Sequence, residues 1–352
     1  MLDHILVGLG LSGLAVAEEL EKRGRDYVVF EDNSQSSSYV AGGIFNPVIL
    51  KRFTAAWNAA EQMKTALPFY EHLEKKLGVH FVHKWNIYRR FHSVEEQNDW
   101  FVATDKPGVA PFLDPELKRN KNPNLDAGHA LGKVLHTGNI DTELLLDNYR
   151  AHLAKNGLLK NERFDHAALV IDNDKFSYKG LASKNIIFCE GFGLKKNPYF
   201  SYLPLRGNKG EYITIRSKEL KLDFAVKSSV FLMPLGNDLY KAGATYDHED
   251  KTPVPTEKAR LRLINELRKF IKCDFEVVDQ VAGIRPATAD RKPLVGEHPE
   301  ISNMYCCNGF GSRGVLIAPN VSLALLDHIE NDMDLDTEVD LRRFTRKHYR
   351  QG

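Results

Sequence analysis

The 352-residue sequence has few cysteines, no long apolar run and no bias toward one sign of charge. Cys189, Cys273, Cys306 and Cys307 show neither C-x-x-C spacing nor a disulfide framework, which favours buried thiols and predicts a reducing, cytoplasmic setting. No apolar segment approaches the ~20 residues that cross a bilayer. The 48 Lys and Arg balance 47 Asp and Glu, so the net charge of +1 indicates no general affinity for nucleic acid or anionic membranes.

An apolar strand at residues 5–7 runs directly into the glycine pattern of Gly8, Gly10 and Gly13. In G-x-G-x-x-G the first glycine allows a tight turn, the second lets the backbone approach a pyrophosphate closely, and the third lets the next helix pack on the strand. A helix over 14–23 and a strand over 27–30 follow. Glu31 ends that strand about 20 residues after the glycines, where an acid accepts hydrogen bonds from an adenosine ribose. This order predicts a dinucleotide-binding unit.

The same N-terminal stretch has a second interpretation as a secretory signal peptide, because residues 15–17 resemble a cleavage site. Asp3 and His4 stand where such a peptide carries Lys or Arg, and the pattern continues into an amphipathic helix. The dinucleotide-binding interpretation is therefore favoured.

Further along the chain, a serine-rich loop at 32–38 and the glycines at 42–43 are suited to wrap a phosphate and press backbone against a flat ring. Apolar periodicity predicts one helix over 54–77, capped by Thr54 and kinked at Pro68, and another that begins at Asp141. Aromatic pieces at 85–91 and 100–104 read as strands of an inserted unit. Residues 185–191 read as a buried parallel strand whose end, Gly191, meets a ligand.

Three glycine-rich segments, each after an apolar strand, are consistent with one extended ligand. Nearly the whole chain resembles the D-amino-acid oxidase/glycine oxidase family of FAD-dependent amine oxidoreductases. The matching segments are VGLGLSG (7–13), FED (30–32), AGGIFNP (41–47), LPLRG (203–207), GIRPATADRKPLVGEHPE (283–300) and GFGSRGVLIAP (309–319). The last segment most resembles the FAD domain of the bifunctional enzymes that make methylaminomethyl-uridine in tRNA, and the GIRP segment is similar to glycine oxidase.

The resemblance implies an α/β fold, α+β overall, with a Rossmann-type FAD-binding domain and an interleaved antiparallel-sheet substrate domain. The first would comprise residues 1–86, 137–212 and 283–352, and the second residues 87–136 and 213–282. The resemblance implies FAD rather than NAD. Relatives that attach flavin covalently use a cysteine in the segment matching 282–299, and this segment has none, so non-covalent FAD is expected.

The family's cofactor contacts map onto the matched segments. They place Leu11 and Ser12 at the pyrophosphate within the turn of Gly8, Gly10 and Gly13, Glu31 and Asp32 at the ribose, Ser38 and Tyr39 beside the phosphates, Gly43, Ile44 and Phe45 against the flavin, Phe164 at the adenine, Gly191 at a strand end, and Gly309, Phe310, Gly311, Ser312, Arg313, Gly314, Val315 and Leu316 near the flavin N1/C2 carbonyl. A helix N-terminus together with Arg313 would stabilise the negative charge that develops there on reduction.

For the substrate, Arg285 matches the arginine that pairs with an amino-acid carboxylate in the family, and its planar fork suits bidentate recognition. Phe231 and Tyr246 fall where relatives place substrate walls. Lys241 matches the lysine that sarcosine oxidases hold over the flavin for oxygen activation, although glycine oxidase has no lysine there and a solvent-exposed strand lysine is the commoner explanation. Glu190 departs from the usual A-x-G strand ending.

These matches predict an enzyme that removes hydride from the α-carbon of a small amino acid or N-substituted glycine, with no metal. No general base is required if the amine arrives neutral, which fits the lack of an evident His/Asp pair. The alternative is oxidation of the carboxymethylamino group of a wobble uridine in tRNA, favoured by GFGSRG and by basic residues between 342 and 350. The near-neutral charge and the lack of a companion methyltransferase sequence disfavour it. A flavin-binding module or an NAD-dependent dehydrogenase would leave the C-terminal segments unexplained.

Overall fold

The computed structural model of the chain describes residues 1–172 and 175–349, in which two large sheets carry packed helices. The helices are Leu11–Lys22 (α1), Ala59–Leu77 (α2), Val94–Thr104 (α3), Thr142–Lys155 (α4), Glu257–Arg268 (α5), Gly314–Asn331 (α6) and Arg342–His348 (α7). The strands are Leu2–Val7 (β1), Tyr27–Phe30 (β2), Ile44–Phe45 (β3), Val48–Ile49 (β4), Thr54–Ala55 (β5), Val82–Lys84 (β6), Ile87–Arg90 (β7), Leu113–Lys118 (β8), Leu131–Val134 (β9), Gly138–Ile140 (β10), Leu159–Lys160 (β11), Val170–Asp172 (β12), Lys175–Tyr178 (β13), Leu181–Phe188 (β14), Leu205–Arg216 (β15), Ala225–Lys227 (β16), Phe231–Gly236 (β17), Leu239–Gly243 (β18), Glu276–Thr288 (β19), Leu294–Glu297 (β20) and Met304–Asn308 (β21).

The first sheet has a parallel centre in the order β11-β2-β1-β14, and β21 lies parallel to β14. The strands β12 and β13 continue it in antiparallel fashion, and β20 pairs antiparallel with β21. Its central strands are apolar and buried on both faces, because helices cover one face and an aromatic cluster covers the other. The predicted buried parallel strand is confirmed as β14, which ends at Phe188.

The two adjacent cysteines of β21 pack in different hydrophobic clusters, one on each face of this sheet. Cys307 packs in the cluster that holds α1 and α6, whereas Cys306 packs in the cluster of Phe188 and Phe200. Neighbouring residues of a strand point to opposite faces, and both faces of this sheet are covered, so both cysteines are fully buried. The prediction of buried thiols at these two positions is confirmed.

The second sheet has the order β19-β15-β18-β17-β16-β7-β9-β8 and is antiparallel except between β16 and β7. The helix α5 packs on it through Leu263 and Leu267. The strands β15 and β19 pair from Leu205–Thr288 to Arg216–Glu276. Both strands cross predicted domain limits, at 212/213 and at 282/283, so they connect the two regions; the domain limits themselves stay a prediction.

The interpretation of residues 100–104 as a strand is wrong, because they form the last part of α3. The Ser93 hydroxyl accepts a hydrogen bond from the Glu96 amide at 3.3 Å and starts that helix. Trp100 and Ala103 then face the core three residues apart, which is helical rather than strand spacing.

The single helix predicted over 54–77 is also too long. The helix α2 begins at Ala59, and Thr54 lies in β5, paired with β4, so Thr54 does not cap it. The predicted start of α4 is confirmed, since the Asp141 carboxylate accepts from the Leu144 amide at 3.1 Å. Within residues 1–172 and 175–349, none of the helices combines the length and hydropathy that a membrane crossing requires.

Candidate functional site

A continuous cavity of about 2130 Å³ is lined by residues of both large sheets. It brings together the carboxyl ends of the parallel strands of the first sheet with β15, β17 and β19 of the second. The predicted site residues that line it are Gly8, Gly10, Leu11, Ser12, Glu31, Asp32, Ser38, Gly43, Ile44, Phe164, Gly191, Phe231, Tyr246, Arg285, Gly309, Phe310, Gly311, Ser312, Arg313, Gly314 and Val315.

At the start of α1, the glycine turn and the Ser38 loop face each other across the cavity wall. The Ser38 hydroxyl accepts from the Leu11 amide at 3.1 Å, and a Cβ built on Gly10 would lie 2.9 Å from that oxygen. Gly13 lies behind the turn, where a Cβ would be 1.9 Å from the Gly8 carbonyl oxygen. Gly13 therefore allows close helix–strand packing rather than ligand contact, as its pattern predicts.

Glu31 and Asp32, both predicted at the ribose, have different environments. The Glu31 carboxylate is buried and accepts from the amides of Leu9 and Asn33, the latter at 2.6 Å. Each carboxylate oxygen has a second lone pair, so Glu31 keeps acceptor capacity toward the cavity. Asp32 is exposed and accepts from the Ser34 amide at 2.9 Å, which is a local turn contact.

The third glycine segment opens α6 into the same cavity. Its N-cap residue, Arg313, makes no side-chain cap, so the first amides of the helix are not bonded by a capping side chain. The Arg313 guanidinium donates to the Asn46 carbonyl at 2.5 Å, which joins this segment to the loop after β3. Burial lowers the pKa of Arg313 to about 10, and within the described residues it has no carboxylate in ion-pair range.

Phe164 lines the cavity and stacks on Tyr178 with ring centroids 4.1 Å apart. Next to it lies a pair that the sequence did not indicate: the Glu190 carboxylate is 3.0 Å from His166 Nε2 and accepts from Asn197 Nδ2 at 2.7 Å. The structure thus accounts for Glu190 as a link between the loop after β14 and the loop after β11. Sequence spacing carried no signal for this contact, because 24 residues separate Glu190 from His166.

Arg285 lies on β19 opposite Asn208 of β15 and reaches the cavity. Its Nη1 is 3.3 Å from both Asn208 Oδ1 and the Thr245 carbonyl, and its guanidinium lies 4.7 Å from the Tyr246 ring centroid. Gly210 provides the room, since a Cβ there would lie 2.0 Å from the guanidinium. Within the described residues Arg285 has no carboxylate in ion-pair range, so its fork is open to an anion from the cavity.

Tyr212 is a cavity residue that sequence reasoning missed. It lies on β15, and a Cβ built on Gly42 would be 3.3 Å from its hydroxyl oxygen. Burial raises the pKa of the Tyr212 phenol, and the nearby Arg285 acts in the opposite direction. In the sequence, Tyr212 alternates with the apolar Ile213 and Ile215, which indicates a strand. That pattern does not show which face of the strand lines the cavity.

Lys241, by contrast, lies behind the cavity wall. Its Nζ donates to the Ala41 carbonyl at 3.1 Å and is 5.2 Å from the Tyr212 ring centroid. Burial lowers the pKa of this ammonium. It is therefore a partly buried lysine under the Gly42 segment rather than a solvent-exposed strand residue.

Three further predicted cofactor residues also lie outside the cavity lining. The Tyr39 hydroxyl accepts from Arg150 Nε at 3.2 Å, which directs this ring toward α4. Phe45 is buried against Gly138, where a Cβ would lie 2.4 Å from its ring. Leu316 is buried in the apolar cluster of α6.

A buried lysine fixes the segment that carries Tyr246. Lys209 on β15 is about 0% exposed; its Nζ donates to Asp250 Oδ2 at 2.5 Å and to the Val254 carbonyl. The Glu211 carboxylate, 3.7 Å from the same Nζ, accepts from the Thr256 amide at 2.8 Å. Residues 247–256, called the clamp segment below, are thus held against β15 directly beside Arg285.

The cavity suits FAD on three structural grounds. The N-termini of α1 and α6 open into it, neither N-cap residue makes a side-chain cap, and such termini stabilise a diphosphate and a developing negative charge. Gly10 leaves the room beside Ser38 that a side chain would fill. Glu31 places acceptor oxygens at the end of β2, where a ribose is recognised in this strand arrangement.

Comparison with known proteins agrees with this geometry. Residues 3–327 match the DAO family, described as FAD dependent oxidoreductase. The chain is 23% identical over 384 residues to glycine oxidase of Geobacillus kaustophilus, covering 97% of this chain and 96% of that protein. It is 21% identical over 409 residues to the tRNA 5-methylaminomethyl-2-thiouridine biosynthesis bifunctional protein MnmC of Legionella pneumophila, covering 99% of this chain and 58% of that protein.

The solved structure of glycine oxidase from Geobacillus kaustophilus superposes with a TM-score of 0.80 at 20% identity, covering 97% of each chain. This likeness shows a common fold, and the family match covers nearly the whole chain. The chain therefore belongs to the DAO family of FAD-dependent oxidoreductases.

Proposed function

We propose that this enzyme oxidises the C–N bond of a small amino acid or N-substituted glycine. The observation that carries the proposal is Arg285, an unpaired guanidinium in the cavity, flanked by Tyr246 and by the acceptors Asn208 and Thr245. A carboxylate removed from water is very costly unless it is paired, and an arginine fork supplies two parallel charge-assisted hydrogen bonds.

FAD, when bound, supplies the hydride acceptor. Arg285 would hold the substrate carboxylate and so orient the α-carbon, while Phe231, Tyr212 and Tyr246 form apolar walls that limit water. As the α-carbon gives up hydride, the nitrogen lone pair of the neutral amine forms the C=N bond of an iminium; water then hydrolyses the iminium to a carbonyl compound and a protonated amine. A neutral amine needs no protein base, and positive potential from Arg313 and the start of α6 favours the charge that develops.

The second candidate is oxidation of the carboxymethylamino group of a uridine in tRNA, for which the MnmC relatives are the support. The chain spans about 58% of the length of those relatives. The basic C-terminal residues give it little support, because Arg342 pairs with Asp340 at 2.5 Å and Arg343 with Asp290 at 2.9 Å. Arg350 and the side chain of Arg346 lie outside the described residues.

Anaerobic bleaching of the bound flavin separates the two candidates. We expect glycine, N-methylglycine or a small D-amino acid to bleach the wild-type flavin within a panel that includes methylamine and tRNA bearing carboxymethylaminomethyl-uridine. Bleaching by the tRNA alone would favour the second candidate. Bleaching by methylamine as efficiently as by N-methylglycine would contradict both, since neither carboxylate would then be needed.

The attachment of FAD is a separate expectation. Because residues 282–299 contain no cysteine, we expect acid precipitation to leave the yellow colour in the supernatant. Colour that stays with the denatured pellet would contradict non-covalent binding.

A further inference from the structure

The cavity carries more positive charge than one amino-acid carboxylate requires. Ten Lys and Arg residues line it, and within the described part of the chain none of the ten lies within ion-pair distance of a carboxylate. The five carboxylates of the wall all follow strands of the first sheet, near the glycine turn. The excess of cations is therefore local, and a net charge of +1 conceals it.

One of these ten cations, Lys227, lies beside Phe231, a predicted substrate wall. It ends β16, pairs in register with Phe231 of β17, and its Nζ lies 4.9 Å from the Phe231 ring centroid. One of its three N–H groups donates to the Ser229 carbonyl at 2.8 Å. Lys227, Ser229 and Phe231 all line the cavity, so the remaining donors are available to a ligand there.

The surroundings of Lys227 favour an anion. Burial and the neighbouring Arg89 lower its pKa to about 8. The Arg89 guanidinium is paired with Glu96 and also donates to the Ser228 carbonyl at 2.7 Å, which fixes it under the turn that carries Lys227. A bound anion would offset both the burial of the ammonium and its repulsion by Arg89.

This cation is separate from the groups assigned to FAD and to the substrate carboxylate. The diphosphate is expected at the start of α1 in the first sheet, whereas Lys227 lies in the middle of the second sheet. Arg285 is on β19, at the edge of that sheet, with β15, β18 and β17 between β19 and β16. The cavity is thus lined by two cations that lie on strands separated by three others.

We propose that the substrate carries a second anionic group in addition to the carboxylate held by Arg285, and that Lys227 binds it. The inference rests on the proposed function and makes it more specific: the substrate is an amino acid or N-substituted glycine with a further carboxylate or an equivalent anion. Lys227 then determines specificity, because a neutral group at that position would make a weaker hydrogen bond to the ammonium than an anion does.

Binding of inert acids to the FAD-loaded enzyme tests this without turnover. Malonate, succinate and glutarate are titrated against their monoamides, which have the same shape but one charge, and the flavin absorbance change gives Kd. We expect at least one diacid to bind about tenfold or more tightly than its monoamide, as a charge-assisted hydrogen bond predicts. In Lys227→Met this ratio should fall to about twofold or less, and Lys227→Arg should retain most of it.

Lys75→Met is the matched control, since Lys75 is exposed on α2 outside the cavity, and it should leave the ratio unchanged. Equal binding of every diacid and its monoamide to the wild type would overturn the inference, as would a ratio that survives in Lys227→Met. The proposed function is tested separately by flavin bleaching with glycine or N-methylglycine. Bleaching without a diacid preference would remove only the role of Lys227.

Discussion

The two ends of the cavity differ in charge and in the way the chain builds them. Within the described residues, the end near the glycine turn contains all five lining carboxylates together with Arg163, Lys195 and Lys196, whereas the end around Arg285 and Lys227 has cations and aromatic rings but no carboxylate. A ribose presents hydroxyl donors, for which a carboxylate is an acceptor; an amino acid presents a carboxylate, for which Arg or Lys is the donor. This difference in charge is consistent with the predicted ribose contact at the first end and with the proposed carboxylate site at the second.

The ends also differ in the origin of their contacts. The predicted nucleotide end takes its glycine-turn amides and its strand-end acid, Glu31, from one short stretch, residues 8–38. The substrate end depends on strand register: Arg285 meets Asn208 because β15 and β19 pair antiparallel over their full lengths. Changes at the first end should therefore affect FAD binding, and changes at the second should affect substrate binding.

The largest expected effect is at Arg285. We expect Arg285→Ala to lower kcat/KM by about two to four orders of magnitude, which corresponds to a loss of about 3–5 kcal/mol of transition-state stabilisation. This is the usual result of removing one partner of a buried charge pair, and Arg285→Lys should lower kcat/KM less. Steady-state kinetics on the best substrate measure both. FAD content should not change, and wild-type activity in Arg285→Ala would break the distinction between the two ends.

Glu31→Ala should instead weaken FAD binding. Each hydrogen bond to a charged group is worth about 1.5–3 kcal/mol, and the change also leaves the amides of Leu9 and Asn33 without their acceptor. Titration of the apoprotein with FAD measures the loss. Glu61→Ala, at an exposed surface pair with Lys64, is the control. Unchanged affinity in Glu31→Ala would remove Glu31 from the cofactor site.

A smaller effect is expected at the clamp segment. Asp250→Asn removes the charge opposite the buried Lys209 and should loosen residues 247–256 beside Tyr246 and Arg285. We expect KM to rise by about three- to tenfold with kcat and FAD affinity little changed, because substrate orientation is affected more than chemistry. Asp238→Asn, which breaks the surface pair with Lys221, should leave KM as it is. Equal effects of the two variants would make the clamp a general stability contact.

The smallest effect on substrate oxidation is expected for Lys241→Met. The resemblance to sarcosine oxidases predicts a role for this lysine in the reaction of reduced flavin with oxygen, because a cation near N5 would stabilise superoxide as it forms. Stopped-flow measurements should show slower reoxidation and a reductive rate within about twofold of wild type. Unchanged reoxidation would leave Lys241 as a structural contact to Ala41 and Tyr212.

The cofactor end follows local rules, so its main features can be predicted from the sequence alone. Gly8, Gly10 and Gly13 meet steric demands set by adjacent backbone, and Glu31 follows at a spacing that one helix and one strand determine. The buried parallel strand β14 and the opposite faces of Cys306 and Cys307 follow from apolar runs and from the period of a strand.

Only the tertiary structure decided the rest. Residues 100–104 form a helix because Ser93 caps it, although their aromatic character favours a strand. Three contacts join residues that are far apart in sequence, so no periodic pattern predicts them. They are the pair of Glu190 with His166, the bond of Lys241 to Ala41 behind the cavity wall, and the clamp around Lys209. The sequence determined the residue types and the cofactor motif; strand pairing over long separations decided which side chains share the cavity, because register is a property of two strands and not of either alone.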